Sequence, residues 1–343
     1  PDNPSAAMPT PPTPSTAPPP STPRRSSKEP RPSITAWLAA APVLYLSHHP
    51  SYYKLIPDAA VGPTRACLRQ GAGLRGRIAA RCIDRAWGRK GDARLERRIL
   101  PGFSLHIVAR KRYIEAAVRS ALESNYTQVV ILGGGYDTLA LRLHTEFPRA
   151  SFIEVDAPGT QRIKLRCALG DKLNASNLAA VPADLARPGA LVEALATTPL
   201  FRSEAHTIYI AEGLFHYLPP DSVAALLDTL RDLPPPPRPG AKPAARSRPR
   251  ARLIFSFLEP IPGAPGHYGF PDTPPSFDRW LARREPFRWG IERAKAAEFF
   301  AAHGWRIDEI AGSQTLRQRA LAGFVPESEP MAQGEYLAIA DRI

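Results

Sequence analysis

The sequence predicts an α/β fold, doubly wound around a mostly parallel sheet of seven strands. Three observations predict it. From residue 128 onward, short apolar runs alternate with helical stretches. The first run is continuous rather than alternating, as a strand covered on both faces must be. The first four runs are followed by glycines or an acid, and open α/β sheets bind ligands at that edge.

The elements follow in order. The run 128–132 (QVVIL) predicts the first strand, and a glycine turn and a helix over 138–147 come next. The second strand is 151–155 (SFIEV), followed by a helix over 159–169. The third is 178–182, with a helix over 188–196. The fourth is 207–211 (TIYIA), with a helix over 221–230 that has Asp221 near its N-cap. The fifth is 252–257. A helix over 291–303 stops at Gly304, a residue suited to a helix C-terminus. The runs 305–310 and 335–340 have no clear helix between them, which suggests an antiparallel hairpin at one edge.

Ahead of the sheet, residues 34–125 read as helical. Arg77, Arg81, Arg85 and Arg89 recur every four residues, with Ile78, Cys82, Ile83, Ala86 and Trp87 between them. That is an amphipathic helix with a basic stripe. A second helix spans 108–122, with Ile114, Ala117, Val118 and Ala121 on one face. The organisation is then a tail (1–33), a helical region (34–125) and a sheet domain (126–343).

Composition bounds the function. Of 343 residues, 43% are hydrophobic, enough for a sizeable core. Of 40 prolines, 12 fall in 1–33 and 7 in 233–252. The first segment has almost no large apolar side chains and is expected to be a disordered tail. The second has six basic residues and no acid, and is expected to be a solvated, extended insert. The net charge of +13 is uneven: 65–112 alone carries 14 basic and three acidic residues. A basic patch attracts phosphate, nucleic acid or an acidic substrate. Cys67, Cys82 and Cys167 have no C-x-x-C spacing, which excludes a zinc site or disulfide framework and fits a reducing, cytoplasmic setting. No apolar run reaches the length of a membrane span, and 1–33 has no signal-peptide h-region.

The sharpest chemical feature is 132–138 (LGGGYDT), directly after the first strand. Glycines there let a ligand approach the backbone, and the following helix N-terminus favours an anion or a polar edge. The dinucleotide fingerprint and the P-loop are both excluded, because the third glycine and the Gly-Lys-Ser/Thr are missing. Asp156 ends the second strand, where a carboxylate can accept two hydrogen bonds from a ribose diol. Asp184 and Leu185 follow the third, a pairing of acid and apolar side chain that suits an adenine ring. Glu212 follows the fourth. Four strand ends in succession thus carry ligand-binding chemistry.

These segments resemble the class I S-adenosylmethionine-dependent methyltransferases of the leucine carboxyl methyltransferase type, which include tetracenomycin-type polyketide O-methyltransferases. The resemblance runs from about 101 to 340. It rests on QVVILGGGYDTLALRL (128–143), FIEVDAPGTQRIK (152–164), Asp184-Leu185, AEGLFHYL (211–218), EPFRWGI (285–291) and GEYLAIA (334–340). It implies a Rossmann-like domain with an N-terminal helical lid, S-adenosyl-L-methionine as cofactor, S-adenosyl-L-homocysteine as product, and no metal. Arg110 would pair with the methionine carboxylate, an anion that a guanidinium fork meets bidentately. Gly133 and Gly135 would shape the turn, Asp156 would bind the ribose, Asp184 and Leu185 the adenine, and Glu212 a polar edge near the methionine end. The lysine expected near the N-terminus has no match; Lys54 is the one candidate, in a different context. The 233–252 insert also departs from the family pattern.

Methyl transfer from a sulfonium is chiefly a positioning problem. A carboxylate acceptor needs no base, whereas a hydroxyl would benefit from one, and His216, Tyr217 and His106 are the nearest candidates. No catalytic residue is assigned. The expected activity is O-methylation of a carboxyl or hydroxyl group on a small, polyketide-like molecule, without nucleic acid or membrane as partner. Alternatives are protein C-terminal carboxyl methylation, RNA methylation or binding through the basic stripe, and cofactor binding without turnover. The basic segment 65–98 could instead face the pocket and attract an acidic acceptor, with Arg77 and Arg81 as the residues to test.

Overall fold

Apolar side chains on both faces of a strand force it to the middle of a sheet. Strand β1 (Gln128–Leu132) is buried at every residue. It pairs in parallel with β2 (Ser151–Asp156) on one side and β4 (Thr207–Ala211) on the other. The computed structural model describes residues 32–71, 73–86, 101–169, 176–233, 248–264 and 266–343. The Pro-rich tail up to residue 31, the insert over 234–247, and the side chains of Arg85, Trp87 and Arg89 lie outside the described residues.

The seven-stranded sheet has the order β3-β2-β1-β4-β5-β7-β6. Strands β3 (Leu178–Pro182) and β5 (Ala251–Leu258) extend the parallel core. The order reverses on either side of β1, the topological switch point at which doubly wound sheets bind ligands.

Among the described residues, four helices precede the sheet: α1 (Ile34–Ser47), α2 (Asp58–Gly71), α3 (Gly73–Ala86) and α4 (Phe103–Glu123). Helix α4 starts five residues earlier than its apolar face suggests, directly after Gly102 at φ 72°. The longer helix takes in His106 as well as Arg110. Between the strands lie α5 (Leu139–Glu146), α6 (Pro158–Lys164), α7 (Ala190–Ala196), α8 (Pro220–Asp232), α9 (Pro275–Ala282) and α10 (Arg293–Ala302). Helix α6 runs into a wider π-type turn, Leu165–Leu169.

Alternation along β1 divides the core. Val129 and Ile131 join Ile114 and Val118 of α4 and Leu143 of α5. Val130 and Leu132 join Leu191 of α7, Leu227 of α8 and Phe300 of α10 on the other face. Each such fully buried side chain contributes about 1.5–3 kcal/mol. A smaller cluster ties α1, α2 and α3 to the glycine turn through Leu44, Leu68, Ala80 and Tyr136.

The C-terminal strands differ from a simple edge hairpin. Strands β6 (Trp305–Ala311) and β7 (Glu335–Arg342) do pair antiparallel. However, β7 lies between β5 and β6 and is antiparallel to both, so β6 is the edge. Their connection holds α11 (Ser313–Leu316) and a π-type turn, Arg317–Leu321. The burial pattern explains the order: Leu337, Ala338 and Ala340 of β7 are all buried, whereas β6 exposes Arg306. Being antiparallel, β7 begins where β5 ends, with Glu335 opposite Leu258. That places a carboxylate at the ligand-binding edge.

Two boundaries move. Ser33, at the end of the compositional tail, is the N-cap of α1, its Oγ accepting from the Ala36 amide at 3.0 Å. Strand β5 begins at Ala251, one residue before its predicted start and inside the compositional insert. Among the described residues no helix is long and apolar enough to cross a membrane.

Candidate functional site

The site begins at the glycine turn. Gly133 (φ 65°) and Gly135 (φ 53°) are left-handed, a region that any Cβ disfavours. Space is short as well: a Cβ on Gly133 would lie 2.9 Å from Leu214 Cδ1, and one on Gly135 3.2 Å from Ala36 Cβ. The Gly133 amide donates to the Val155 carbonyl at 2.8 Å, which binds the turn to the end of β2. Asp156 completes that link. Its Oδ2 accepts from the Gly135 amide and its Oδ1 from the Ala157 amide, both at 2.6 Å. Burial pushes the Asp156 carboxyl above its ordinary range, and the two amide donors pull the other way.

Beneath the turn, Lys164 Nζ lies 2.8 Å from the Glu154 carboxylate, both side chains buried. A Cβ on Gly134 would come within 3.5 Å of that Nζ. The pair matches charge for charge, as a buried ion must.

Alternating charges line the neighbouring wall. Arg110 Nη1 donates to both oxygens of Glu335 at 2.8 and 2.9 Å. Its other edge faces Glu212, with Nε and Nη2 2.9 and 2.8 Å from Oε1. Lys111 Nζ reaches Asp137 at 2.5 Å and Glu212 at 3.1 Å. His106 Nε2 lies 2.8 Å from Glu335 Oε2. Burial works against the Glu335 carboxylate, but Arg110 and His106 hold it well below the usual range. Asp137 is held down in the same way by Lys111 and Lys164, again against burial. Burial opposes the charge of Arg110 too, and Glu335 and Glu212 raise its proton affinity above the ordinary value.

After β4 the chain makes a short 3-10 turn, Phe215–Tyr217. It buries His216, whose ring meets Phe287 edge-on at 5.1 Å and Tyr217 at 4.6 Å. His216 Nδ1 has no hydrogen-bond partner among the described residues. Burial pushes the imidazole down to about 4, with Glu335 raising it and Arg110 lowering it, so the ring is neutral at neutral pH. Burial also raises the Tyr217 phenol.

A further carboxylate, Glu285, closes the site. Glu285 accepts from the Ile34 amide at 2.7 Å, the Thr35 amide at 3.0 Å and the Ser33 hydroxyl at 2.9 Å, and also from the Thr35 hydroxyl. The Ser33 amide donates to Thr160 Oγ1 at 3.0 Å. The N-terminus of α1 is thereby fixed across the glycine turn.

These groups surround a cavity of about 800 Å³. Of the residues singled out in the sequence, Arg110, Gly133, Gly135, Asp156 and Glu212 line it, together with His216 and Tyr217. Asp184 and Leu185 do not. Asp184 is exposed and spends Oδ1 on the Ala186 amide at 3.0 Å, and Leu185 packs with the apolar layer of one sheet face. Their loop still borders the site, since the Ala183 amide donates to the Asp156 carbonyl at 2.8 Å. His106 is turned to Glu335, outside the lining. Lys54 is exposed, with its Nζ 6.0 Å from the Tyr53 ring centroid, and is also outside. Arg77 and Arg81 are exposed, while Cys82 and Ile83 of the same helix line the cavity.

Five functional positions escaped the sequence reading: Lys111, Asp137, Lys164, Glu285 and Glu335. Each lies beside or inside a recognised motif; the partners of Lys111, Asp137, Glu285 and Glu335 are 26 or more residues away, whereas Lys164 meets Glu154 ten residues back in the same motif. Helix α9, which supplies Phe277 and Leu281 to the lining, was also missed. Among the described residues no group of three or more His, Cys, Asp or Glu could hold a metal ion.

Comparison with known proteins bears on the family and the fold. The family model described as leucine carboxyl methyltransferase matches residues 70–231. A protein of Mycobacterium sp. (strain JLS), named as a candidate S-adenosyl-L-methionine-dependent methyltransferase, is 30% identical over 240 residues, covering 68% of this chain and 73% of the relative. A similarly named protein of Streptomyces avermitilis is 31% identical over 251 residues, covering 71% and 75%. The crystal structure of a candidate methyltransferase from Thermobifida fusca YX aligns with TM-score 0.52 at 17% identity, covering 91% of this chain and 95% of that one. A DUF574 family protein from Streptomyces avermitilis aligns with TM-score 0.53, also at 17% identity, covering 81% and 95%. At that identity the two structures speak to the fold.

Proposed function

This chain belongs to the leucine carboxyl methyltransferase family of S-adenosyl-L-methionine-dependent methyltransferases, and we propose that its acceptor is a carboxyl or hydroxyl group on a small, polyketide-like molecule. The observation that carries this reading is the cavity itself. It runs from the glycine turn to an apolar wall of Phe103, Phe270, Phe277 and Leu281. About 800 Å³ is within the range of small-molecule sites, and its walls suit a ring system better than a polar chain.

The donor set suits S-adenosylmethionine, and the glycine turn offers backbone that no Cβ blocks. Asp156 is assigned to the ribose diol. Glu212 is assigned to a polar edge near the methionine end. Arg110 is assigned to the methionine carboxylate; its Nη1 donates to Glu335 and its Nε and Nη2 to Glu212, so the ligand would share or displace the Glu212 edge. Asp184 and Leu185 are the adenine-end candidates, reached past Asp156. When bound, the cofactor supplies an activated methyl group on a sulfonium.

The chain's own residues then orient and exclude water. Glu285 holds α1 over the turn. The Arg110, Lys111, Glu212 and Glu335 pairs keep the wall rigid, so little reorganisation remains at the moment of transfer. A carboxylate acceptor needs no proton removed. A hydroxyl acceptor needs a proton acceptor, and the neutral imidazole of His216 lines the cavity, as a base that burial makes weaker than free histidine.

The test is calorimetric titration of S-adenosylmethionine and S-adenosylhomocysteine into wild type and Asp156→Ala, followed by an acceptor panel of hydroxylated and carboxylated aromatics. Micromolar binding that is lost in the variant is expected. No binding to folded wild type would reject the cofactor site.

A further inference from the structure

A guanidinium grips a carboxylate most firmly when two of its nitrogens meet the two oxygens as a fork. The pair of Arg110 and Glu335 is built differently. Nη1 donates to both oxygens, at 2.8 and 2.9 Å, so the pair can pivot about that one nitrogen. The other edge of Arg110, Nε and Nη2, faces Glu212, and a ligand carboxylate would share or displace that contact. Once Glu212 is displaced, the aim of the guanidinium depends on how firmly Glu335 is held.

His106 supplies that hold. It stands on α4 four residues before Arg110, so the two side chains lie one turn apart on the same face. Its Nε2 lies 2.8 Å from Glu335 Oε2. Glu335 is ionised: burial works against its charge, but Arg110 and then His106 hold it well below the ordinary carboxylate range. An ionised carboxylate only accepts, so Nε2 carries a proton and donates. Three hydrogen bonds from two side chains then meet Glu335, and it cannot turn without breaking one.

The remaining surroundings of the ring do not require a histidine. The side chain is fully buried and meets Phe270 edge-on at 5.7 Å, and Phe270 meets Phe103 edge-on at the same distance. Nδ1 has no hydrogen-bond partner among the described residues. A buried nitrogen without a partner is destabilising, and an apolar ring in the same place would avoid it. What the imidazole adds is the donor to Glu335. His106 does not line the cavity, so it acts on a ligand only through Glu335 and Arg110.

We propose that His106 is a positioning residue for the cofactor: by pinning Glu335 it sets the direction in which Arg110 meets the methionine carboxylate. The proposal deepens the methyltransferase reading and rests on the assignment of Arg110. Its consequence is selective. A guanidinium out of line loses one of its two bonds to a ligand carboxylate. The glycine turn and Asp156, which hold each other through the Gly135 amide, are left as they were.

The experiment uses two probes, S-adenosylhomocysteine and its decarboxylated form, which differ only in the carboxylate. Both are titrated by calorimetry into full-length protein, and the weaker one is read by displacement of the stronger. His106→Phe keeps a ring against Phe270 and removes the donor. It should weaken S-adenosylhomocysteine by about tenfold and the decarboxylated form by less than about twofold. His106→Gln, whose amide nitrogen takes the place of Nε2, should recover most of the loss. His106→Asn, whose amide stops at the place of Nδ1, should not, and it serves as the donor-free variant should His106→Phe fail to fold. Equal weakening of both probes without the donor would show a packing role only and overturn the proposal. So would no weakening of either, or a His106→Gln no better than His106→Asn. If wild type binds both probes equally, the assignment of Arg110 fails and the proposal with it; if wild type binds neither, it is the methyltransferase-site reading that fails.

Discussion

Glu285 Oε1 accepts the Ile34 amide at 2.7 Å, so a residue 251 positions away caps the first helix. The same carboxylate accepts from Ser33 and Thr35, giving four donors to one group. Amides at a helix start have no partner within the helix, and an acid there satisfies them and complements the dipole.

Glu285→Ala should therefore loosen α1. Losing a cap costs about 0.5–2 kcal/mol. A lower Tm, earlier proteolytic cutting near α1 and weaker S-adenosylhomocysteine binding are expected together. An unchanged cutting pattern would show that α1 is held by its apolar face alone.

Arg110→Met should be among the most damaging single changes in the site. It leaves Glu335 buried without its guanidinium, and breaking such a pair costs about 3–5 kcal/mol. Removing both charges, as Arg110→Met with Glu335→Leu, should restore much of that stability while cofactor binding stays impaired. Urea denaturation of the two singles and the double measures the coupling.

His216 predicts a pH dependence. Its native pKa is pushed down to about 4 by burial, from an unfolded value near 6.5. Between these values the unfolded chain binds a proton that the native state does not. The stability held above pH 6.5 is thus lost as pH falls toward 4, by about 3 kcal/mol at about 1.4 kcal/mol per unit. His216→Phe should flatten that segment of the curve without breaking a hydrogen bond at Nδ1, which has no partner among the described residues. Glu335 and Asp137, held low, lose their contribution at more acid pH, below the ordinary carboxylate range. The difference between wild type and variant isolates the imidazole. Parallel curves from pH 4 to 7 would reject the assignment.

Gly135→Ala tests the turn against the helix above it. A left-handed alanine costs about 1–2 kcal/mol, and its Cβ would press on Ala36 at 3.2 Å. Weaker cofactor binding and a lower Tm are expected. Gly62→Ala in α2 is the contrast: with nothing within 4 Å, it should raise stability by about 0.5–1 kcal/mol. Paired thermal melts decide.

Much of the fold was readable in advance because its signals are local. Strands β1, β3 and β4 fall on 128–132, 178–182 and 207–211, as their apolar runs require. The glycine turn and Asp156 were readable for the same reason: a tight turn after a strand and an acid at the next strand end are adjacent in space whenever the strands pair. The local signal failed for α9, for which the sequence reading assigned no element, although its Pro275 stands at a helix start, where proline is tolerated. The orientation of Asp184, whose carboxylate accepts from the Ala186 amide of its own loop, was not readable from spacing along the chain.

The sequence by itself determined the strands, the glycine turn after β1 and the acids at the next strand ends, because period and turn chemistry act over a few residues. Only the tertiary structure decided which charges pair with which. Arg110 meets Glu335 across 225 residues and Glu285 meets Ile34 across 251. Burial makes an unpaired charge costly, so each buried ion takes whatever partner the packing brings near, and that choice is made in space rather than along the chain.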